Sequence, residues 1–257
     1  MSKTALITGA SSGIGVEFAK IHAGHGDNLV LIARREDKLN KLKNDLLNHH
    51  DIDIMVFSQD LSNPESTGNI RDFCNDNDIR IDYLINNAGF GGYGYFHETD
   101  AGRYDNMMKV NMLALTRLTR AFLPDMVKRK SGRILNIAST AAFVPGPMQA
   151  VYYASKAYVL SFTEAVANEL QGTGVSATVL CPGATRTEFF DVAGFDESSF
   201  KLMGVASAKS CAEYGYTSMM NGKVVAIHGF RNKLMLFTIR FSPRWLVRRI
   251  VRSMQQQ

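Results

Sequence analysis

The first twenty residues constrain the fold more than any other stretch. Lys3-Thr-Ala-Leu-Ile is a short apolar run that reads as a buried strand. Thr8-Gly-Ala-Ser-Ser-Gly-Ile-Gly15 follows at once, and Val16, Phe18, Ala19 and Ile21 then recur at helical spacing. Strand, glycine turn and helix in that order is the context a phosphate-binding loop needs. Glycines let the backbone approach a pyrophosphate, and the helix N-terminus offers free N–H donors and a positive dipole end. The spacing is G-x-x-x-G-x-G, and on its own it is equally a Gly/Ser loop capping an ordinary βα unit. The alternation continues, with strand-like runs near 3–8, 28–33, 53–58, 83–87, 133–138, 175–181 and 223–228 separated by helical patterns. That predicts an α/β fold of parallel strands with helical crossovers on both faces. No repeat, low-complexity tract or Pro-rich linker divides the 257 residues, so 1–257 read as one domain.

A second motif carries chemistry. Tyr152 and Lys156 are four residues apart in a helical stretch, and Ser139 lies thirteen residues before Tyr152. Positions i and i+4 share a helix face, so the phenol and the ammonium can enter one pocket. A nearby cation favours phenolate, which predicts a lowered Tyr152 pKa and a proton donor or acceptor usable near neutral pH. Tyr153 is three residues from Lys156 and is expected on the adjacent face as a packing residue. Taken alone, Ser139 reads equally as a strand end, and Asn111 as a helical Asn satisfying a local carbonyl.

With both motifs in view, the chain resembles the classical short-chain dehydrogenase/reductase family over about Lys3 to Gly229. Thr8–Gly15 is similar to that family's cofactor loop, Asp60-Leu61 to the pair beside the adenine, and Asn86-Asn-Ala-Gly89 to the segment ending its fourth strand. Asn136-Ile-Ala-Ser139 looks like the end of the fifth strand, and Pro182-Gly183 like the turn beside the nicotinamide. The resemblance implies a Rossmann-like, doubly wound, seven-stranded parallel sheet. It implies a catalytic set of Ser139, Tyr152, Lys156 and Asn111. Tyr152 would donate the proton, Ser139 hold the carbonyl oxygen, Lys156 favour phenolate and bind the nicotinamide ribose, and Asn111 hold a water. The implied cofactor residues begin with Gly9, Ser11, Ser12, Gly13, Ile14 and Gly15. They continue with Arg34, Arg35, Asp60, Leu61, Asn87, Ala88 and Gly89, then Tyr152, Lys156, Pro182, Gly183, Thr185 and Thr187. A homodimer or homotetramer through helices near 103–128 and 152–170 is also implied.

The end of the second strand selects the cofactor. An NAD-preferring domain places a carboxylate there for the ribose 2′-OH, whereas an Arg accommodates the 2′-phosphate of NADP. Ala33 stands at the expected acid position and Arg34-Arg35 follow, so NADP(H) is predicted. The plain alternative leaves both arginines capping the strand in solvent. The expected activity is reduction of a ketone or aldehyde by NADPH, reversibly an alcohol dehydrogenase. A membrane-associated 3-oxoacyl or lipid reductase and a non-catalytic NADP-binding regulator are the alternatives. Phe189, Phe190, Phe195, Phe200, Leu202 and Met203, with the aromatics of Phe90-Gly-Gly-Tyr-Gly-Tyr-Phe96, suggest a hydrophobic or aryl ketone or keto ester as the substrate. The same rings could instead pack a core or an interface.

Charge is uneven. Residues 214–257 hold eight Lys or Arg and no Asp or Glu, leaving 21 basic against 24 acidic residues elsewhere. The excess of +5 therefore belongs to the tail, which argues against a nucleic-acid reader with a basic face across the fold. Ser242-Pro through Met254 reads as a helix, in a basic amphipathic extension over about 231–257, and it resembles the tail of a bacterial short-chain subgroup. Its stripe of Leu246, Val247, Ile250, Val251 and Met254 is expected to dock on protein, with a membrane surface as the less favoured partner. Cys74, Cys181 and Cys211 have no metal-ligand spacing, and no metal is expected. With no signal peptide and no apolar run near eighteen residues, the expected location is the cytoplasm.

Overall fold

The computed structural model describes residues 2–188 and 205–255. Its main sheet has seven parallel strands: β1 (Thr4–Thr8), β2 (Asn28–Ala33), β3 (Ile54–Ser58), β4 (Tyr83–Asn86), β5 (Gly132–Ile137), β6 (Val175–Cys181) and β9 (Val225–Ile227). They lie in the order β3-β2-β1-β4-β5-β6-β9. Each strand falls within a residue or two of its expected run. Two short strands were not expected: β7 (Thr185–Arg186) and β8 (Ala206–Ser207) pair in parallel beside the sheet.

Successive side chains of a strand point to opposite faces, and both faces are covered, so the strands read as unbroken apolar runs. Ala5, Ile7, Leu29 and Leu31 pack under α1 (Gly13–Gly24), α2 (Glu36–Leu47) and α7 (Ala208–Met220). Their neighbours Leu6, Val30, Ile32 and Leu84 pack on the other face under α3 (Ser66–Asp76) and α5 (Leu115–Lys128). The helix α4 (Ala101–Met108) runs into α5 through a π-helical turn, Lys109–Ala114, and α6 (Ala150–Glu169) follows β5. After β9 come α8 (Phe230–Ile239) and α9 (Arg244–Gln255).

The sheet grows outward in both directions from β1 and β4. That switch in strand order leaves a crevice beyond the C-terminal strand ends, where ligands of open α/β sheets bind.

Candidate active site

A cavity of about 820 Å³ opens at those strand ends. Every expected cofactor residue lines it except Gly15, and Ser139, Tyr152 and Lys156 line it as well; Asn111 does not. Gly15 and Asn111 stand one layer behind the wall.

The first loop is folded by a close approach to β4. Gly9 has φ +66°, and a Cβ there would stand 2.9 Å from the Ala88 Cα, so the position needs glycine twice over. A Cβ at Gly15 would run into the Gly9 carbonyl. The Thr8 hydroxyl accepts hydrogen bonds from the Asn87 and Ala88 N–H groups, both 3.0 Å, and Asn87 Nδ2 donates back to the Thr8 carbonyl at 3.0 Å. At the start of α1, Ser12 makes no side-chain capping bond, whereas Asp100 and Ser207 cap α4 and α7. The first turn of α1 is thus without a side-chain cap beside the cavity, the arrangement that receives an anion.

Beyond β2 the cations form a cluster. Arg35 Nη2 donates to Ser11 Oγ at 3.1 Å. Glu188 bridges Arg35 (2.8 Å) and Lys38 (2.7 Å), and these two cations hold its carboxyl below the usual range. Arg34 is exposed at the cavity edge. Neither Lys38 nor Glu188 was expected; they lie 150 residues apart, and no local pattern links them.

Below the cavity, buried amides brace the strands. Asn86 Nδ2 donates to Asn136 Oδ1 (2.9 Å) and Thr119 Oγ1 (3.2 Å), and Asn136 Nδ2 donates to Thr163 Oγ1 (2.9 Å). This web ties β4 and β5 to α5 and α6. Above it, Ser139 follows β5, caps the short turn Thr140–Phe143 and accepts from the Ala141 N–H at 3.1 Å. The Tyr152 hydroxyl is hydrogen-bonded with the Ser139 side chain. Lys156 is buried on the same face of α6, donates from Nζ to the Ile137 carbonyl at 2.9 Å, and stands 5.9 Å from the Tyr152 ring centroid.

Burial moves both groups toward their neutral forms. It pushes the Tyr152 phenol up, with the Ser139 hydrogen bond opposing. It pulls Lys156 down to about 8. The expected lowering of Tyr152 is therefore reversed. Spacing placed the ammonium nearby, but it is turned to a backbone carbonyl, and loss of water around the phenol sets the direction of the shift.

Asn111 is buried in the π-helical turn. Its Nδ2 donates to the Phe90 carbonyl and to Ser155 Oγ, both 3.0 Å, and Oδ1 accepts from the Phe90 N–H at 3.1 Å. A Cβ on Gly89 would lie 3.0 Å from Asn111 Oδ1 and 3.3 Å from Lys156 Nζ, so the two side chains meet across that residue.

The far end of the cavity is walled by α8 and α9, through Met235, Ile239, Val247, Ile250, Val251 and Met254. The tail helix docks on its own domain, through Val247 and a knot of bonds at Gln255. Gln255 Nε2 donates to the Tyr153 hydroxyl (2.8 Å), its Oε1 accepts from Gln149 (2.9 Å), and its carbonyl accepts from the Tyr93 hydroxyl (2.6 Å). Two expectations change here. Only Val247 of the tail stripe is buried; Leu246, Ile250 and Met254 stay exposed, Ile250 by 50 %. Tyr153 is a cavity residue tied to Gln255 rather than only a packing residue. Phe90 lines the cavity, while Phe96 is exposed and stacks on Tyr104. Phe189, Phe190, Phe195, Phe200, Leu202 and Met203 lie outside the described residues. Among the described residues no cluster suits a metal ion, and no helix is long and apolar enough to cross a membrane.

Comparison with known proteins identifies the family. The family model described as short chain dehydrogenase matches residues 3–197. A ketoacyl reductase, HetN, of Nostoc sp. is 36 % identical over 210 residues, covering 82 % of this chain and 72 % of its own. Among solved structures, a short-chain dehydrogenase from Sphingobium yanoikuyae in complex with NADPH is 32 % identical with a TM-score of 0.83, covering 93 % of this chain and 94 % of that one. A bulky-bulky ketone specific alcohol dehydrogenase from Comamonas testosteroni is 30 % identical with a TM-score of 0.80, covering 93 % and 92 %.

Proposed function

Because the chain belongs to the short-chain dehydrogenase/reductase family, we propose that it is an NADP(H)-dependent carbonyl reductase acting on a hydrophobic or aryl ketone or keto ester. The observation that carries the reading is the cluster of Ser139, Tyr152 and Lys156 at one wall of the cavity. The uncapped start of α1 and the cations Arg34, Arg35 and Lys38 fit a dinucleotide with a 2′-phosphate. The resemblance to a structure holding NADPH supports the same choice.

When bound, the reduced nicotinamide supplies hydride to the carbonyl carbon. As negative charge develops on the carbonyl oxygen, Ser139 donates a hydrogen bond to it and Tyr152 delivers its proton. Burial keeps Tyr152 protonated, the form a donor requires. Lys156, still charged at neutral pH, stabilises the phenolate left behind. Asn111 Oδ1 has a lone pair free for a water on the Lys156 side of Gly89, and so a route for the returning proton. Reversed, the same steps oxidise an alcohol.

The apolar wall of α8 and α9 favours a hydrophobic substrate. Similarity to the bulky-ketone enzyme supports a ketone, and similarity to the ketoacyl reductase supports a 3-oxoacyl substrate as the second reading. The test is initial-rate oxidation of NADPH and NADH against aryl ketones, keto esters and 3-oxoacyl thioesters. Tyr152→Phe is expected to lose at least about 10²-fold in kcat while still binding NADPH. Undiminished turnover in that variant would overturn the assignment.

A further inference from the structure

The last two helices turn one face inward to the cavity, and among the described residues the other face is exposed. On α8 and the turn that ends it, Phe230, Leu234, Phe237 and Phe241 recur at spacings of four, three and four, so they form one stripe. The stripe faces outward: its members are exposed by 54 % (Leu234) to 78 % (Phe230). Helices of globular proteins turn such a stripe to the core, but here Met235 and Leu236 take that role. Phe237 and Phe241 meet edge to face at 5.3 Å, and Trp245 of α9 is also exposed, with Arg249 over its ring at 5.5 Å.

The charge around this stripe decides what covers it. Seven Lys and Arg lie between residues 231 and 252, all exposed, and no Asp or Glu occurs from 214 to 257. A two-fold dimer would place the patch against itself, cation against cation, with no carboxylate of the patch to pair them. An anionic lipid surface meets both requirements. Its headgroups answer the cations, while Phe, Leu and Trp enter the boundary of the acyl chains. A lone amphipathic segment would first have to fold; here Val247 and the Gln255 bonds already hold α9 in place. We propose that the outer face of α8 and α9 is a docking surface for an anionic membrane leaflet. The chain would lie on the bilayer with the apolar end of its cavity toward it.

The test is sedimentation of the full chain with vesicles of phosphatidylcholine alone and of phosphatidylcholine with phosphatidylserine in equal parts. Binding is expected only to the anionic vesicles and should weaken as salt rises. Arg248→Gln with Arg249→Gln should weaken it about fivefold per residue removed. Phe237→Ser with Phe241→Ser should abolish it while NADPH binding and thermal unfolding stay unchanged, since neither ring lines the cavity. Failure to bind anionic vesicles at low salt would overturn the proposal. So would a wild-type oligomer that the phenylalanine variant dissociates, because the face would then join two copies of the chain. Neither outcome depends on turnover, so the docking surface and the reductase reading stand or fall separately.

Discussion

Replacing Lys156 by Met should stabilise the fold while it removes activity. The ammonium is buried, and its drop from 10.5 to about 8 means that charging it inside the protein costs about 3 kcal/mol more than in water. Below pH 8 the folded chain carries that full penalty. Met keeps the unbranched stem and removes the charge, at the loss of the 2.9 Å bond to the Ile137 carbonyl, worth about 1–2 kcal/mol. The net gain at pH 7 is about 1–2 kcal/mol, or about 2–8 °C in Tm for a chain of this size. The pH dependence is the sharper signature. A lysine with a depressed folded pKa makes the unfolded state bind more protons, so wild-type stability rises with pH from about 8 toward 10.5. The advantage of the variant should therefore shrink by about 1.4 kcal/mol between pH 7 and 9. Urea unfolding of both proteins at the two pH values, without cofactor, measures it. A difference that does not change with pH would refute the buried-charge reasoning, whatever the variant does to turnover.

Two further substitutions probe the cofactor end. Glu188→Gln removes the carboxylate that now occupies Arg35 and Lys38. These side chains are about 40 % exposed, so each pair is worth well under 1 kcal/mol, and NADPH should bind about 2–5-fold tighter at low salt with NADH unchanged. Equal effects on the two cofactors in a fluorescence titration would mean that this cluster does not face the 2′-phosphate. Gly15→Ala forces a methyl into the Gly9 carbonyl and should weaken NADPH at least about tenfold, by displacing the loop. Gly24→Ala at the other end of α1, with nothing within 4 Å of its Cβ, should bind NADPH as the wild type does and serves as the control.

The seven strands were legible because burial on both faces writes each one as a continuous apolar run, as in Leu29-Val-Leu-Ile-Ala33. The pairing of Tyr152 with Lys156 was legible because helical periodicity is a local property. What sequence could not supply were contacts between distant segments. The bond from Gln149 to Gln255 spans 106 residues, and nothing in Met-Gln-Gln-Gln distinguishes the residue that makes it. The tail stripe announced an amphipathic helix but not which of its members would be covered; the docking angle buries Val247 and leaves Ile250 half exposed. The direction of the Tyr152 shift failed for a related reason. Spacing reports proximity to a charge, whereas desolvation depends on everything packed around the phenol.

That desolvation bears on the pH dependence of the proposed reaction. Burial favours the neutral form of both Tyr152 and Lys156, but the consequences at pH 7 differ. Tyr152 stays protonated across the whole physiological range, while Lys156, with a pKa of about 8, remains mostly charged. A protonated phenol beside a charged amine is the state that delivers a proton to a carbonyl oxygen and then tolerates the phenolate. Alcohol oxidation needs the opposite starting point, a phenolate in a site that has raised its energy. As pH climbs past 8, Lys156 also loses the charge that would support that phenolate. For the proposed reductase, kcat/KM for carbonyl reduction should therefore be level below pH 8 and decline above it.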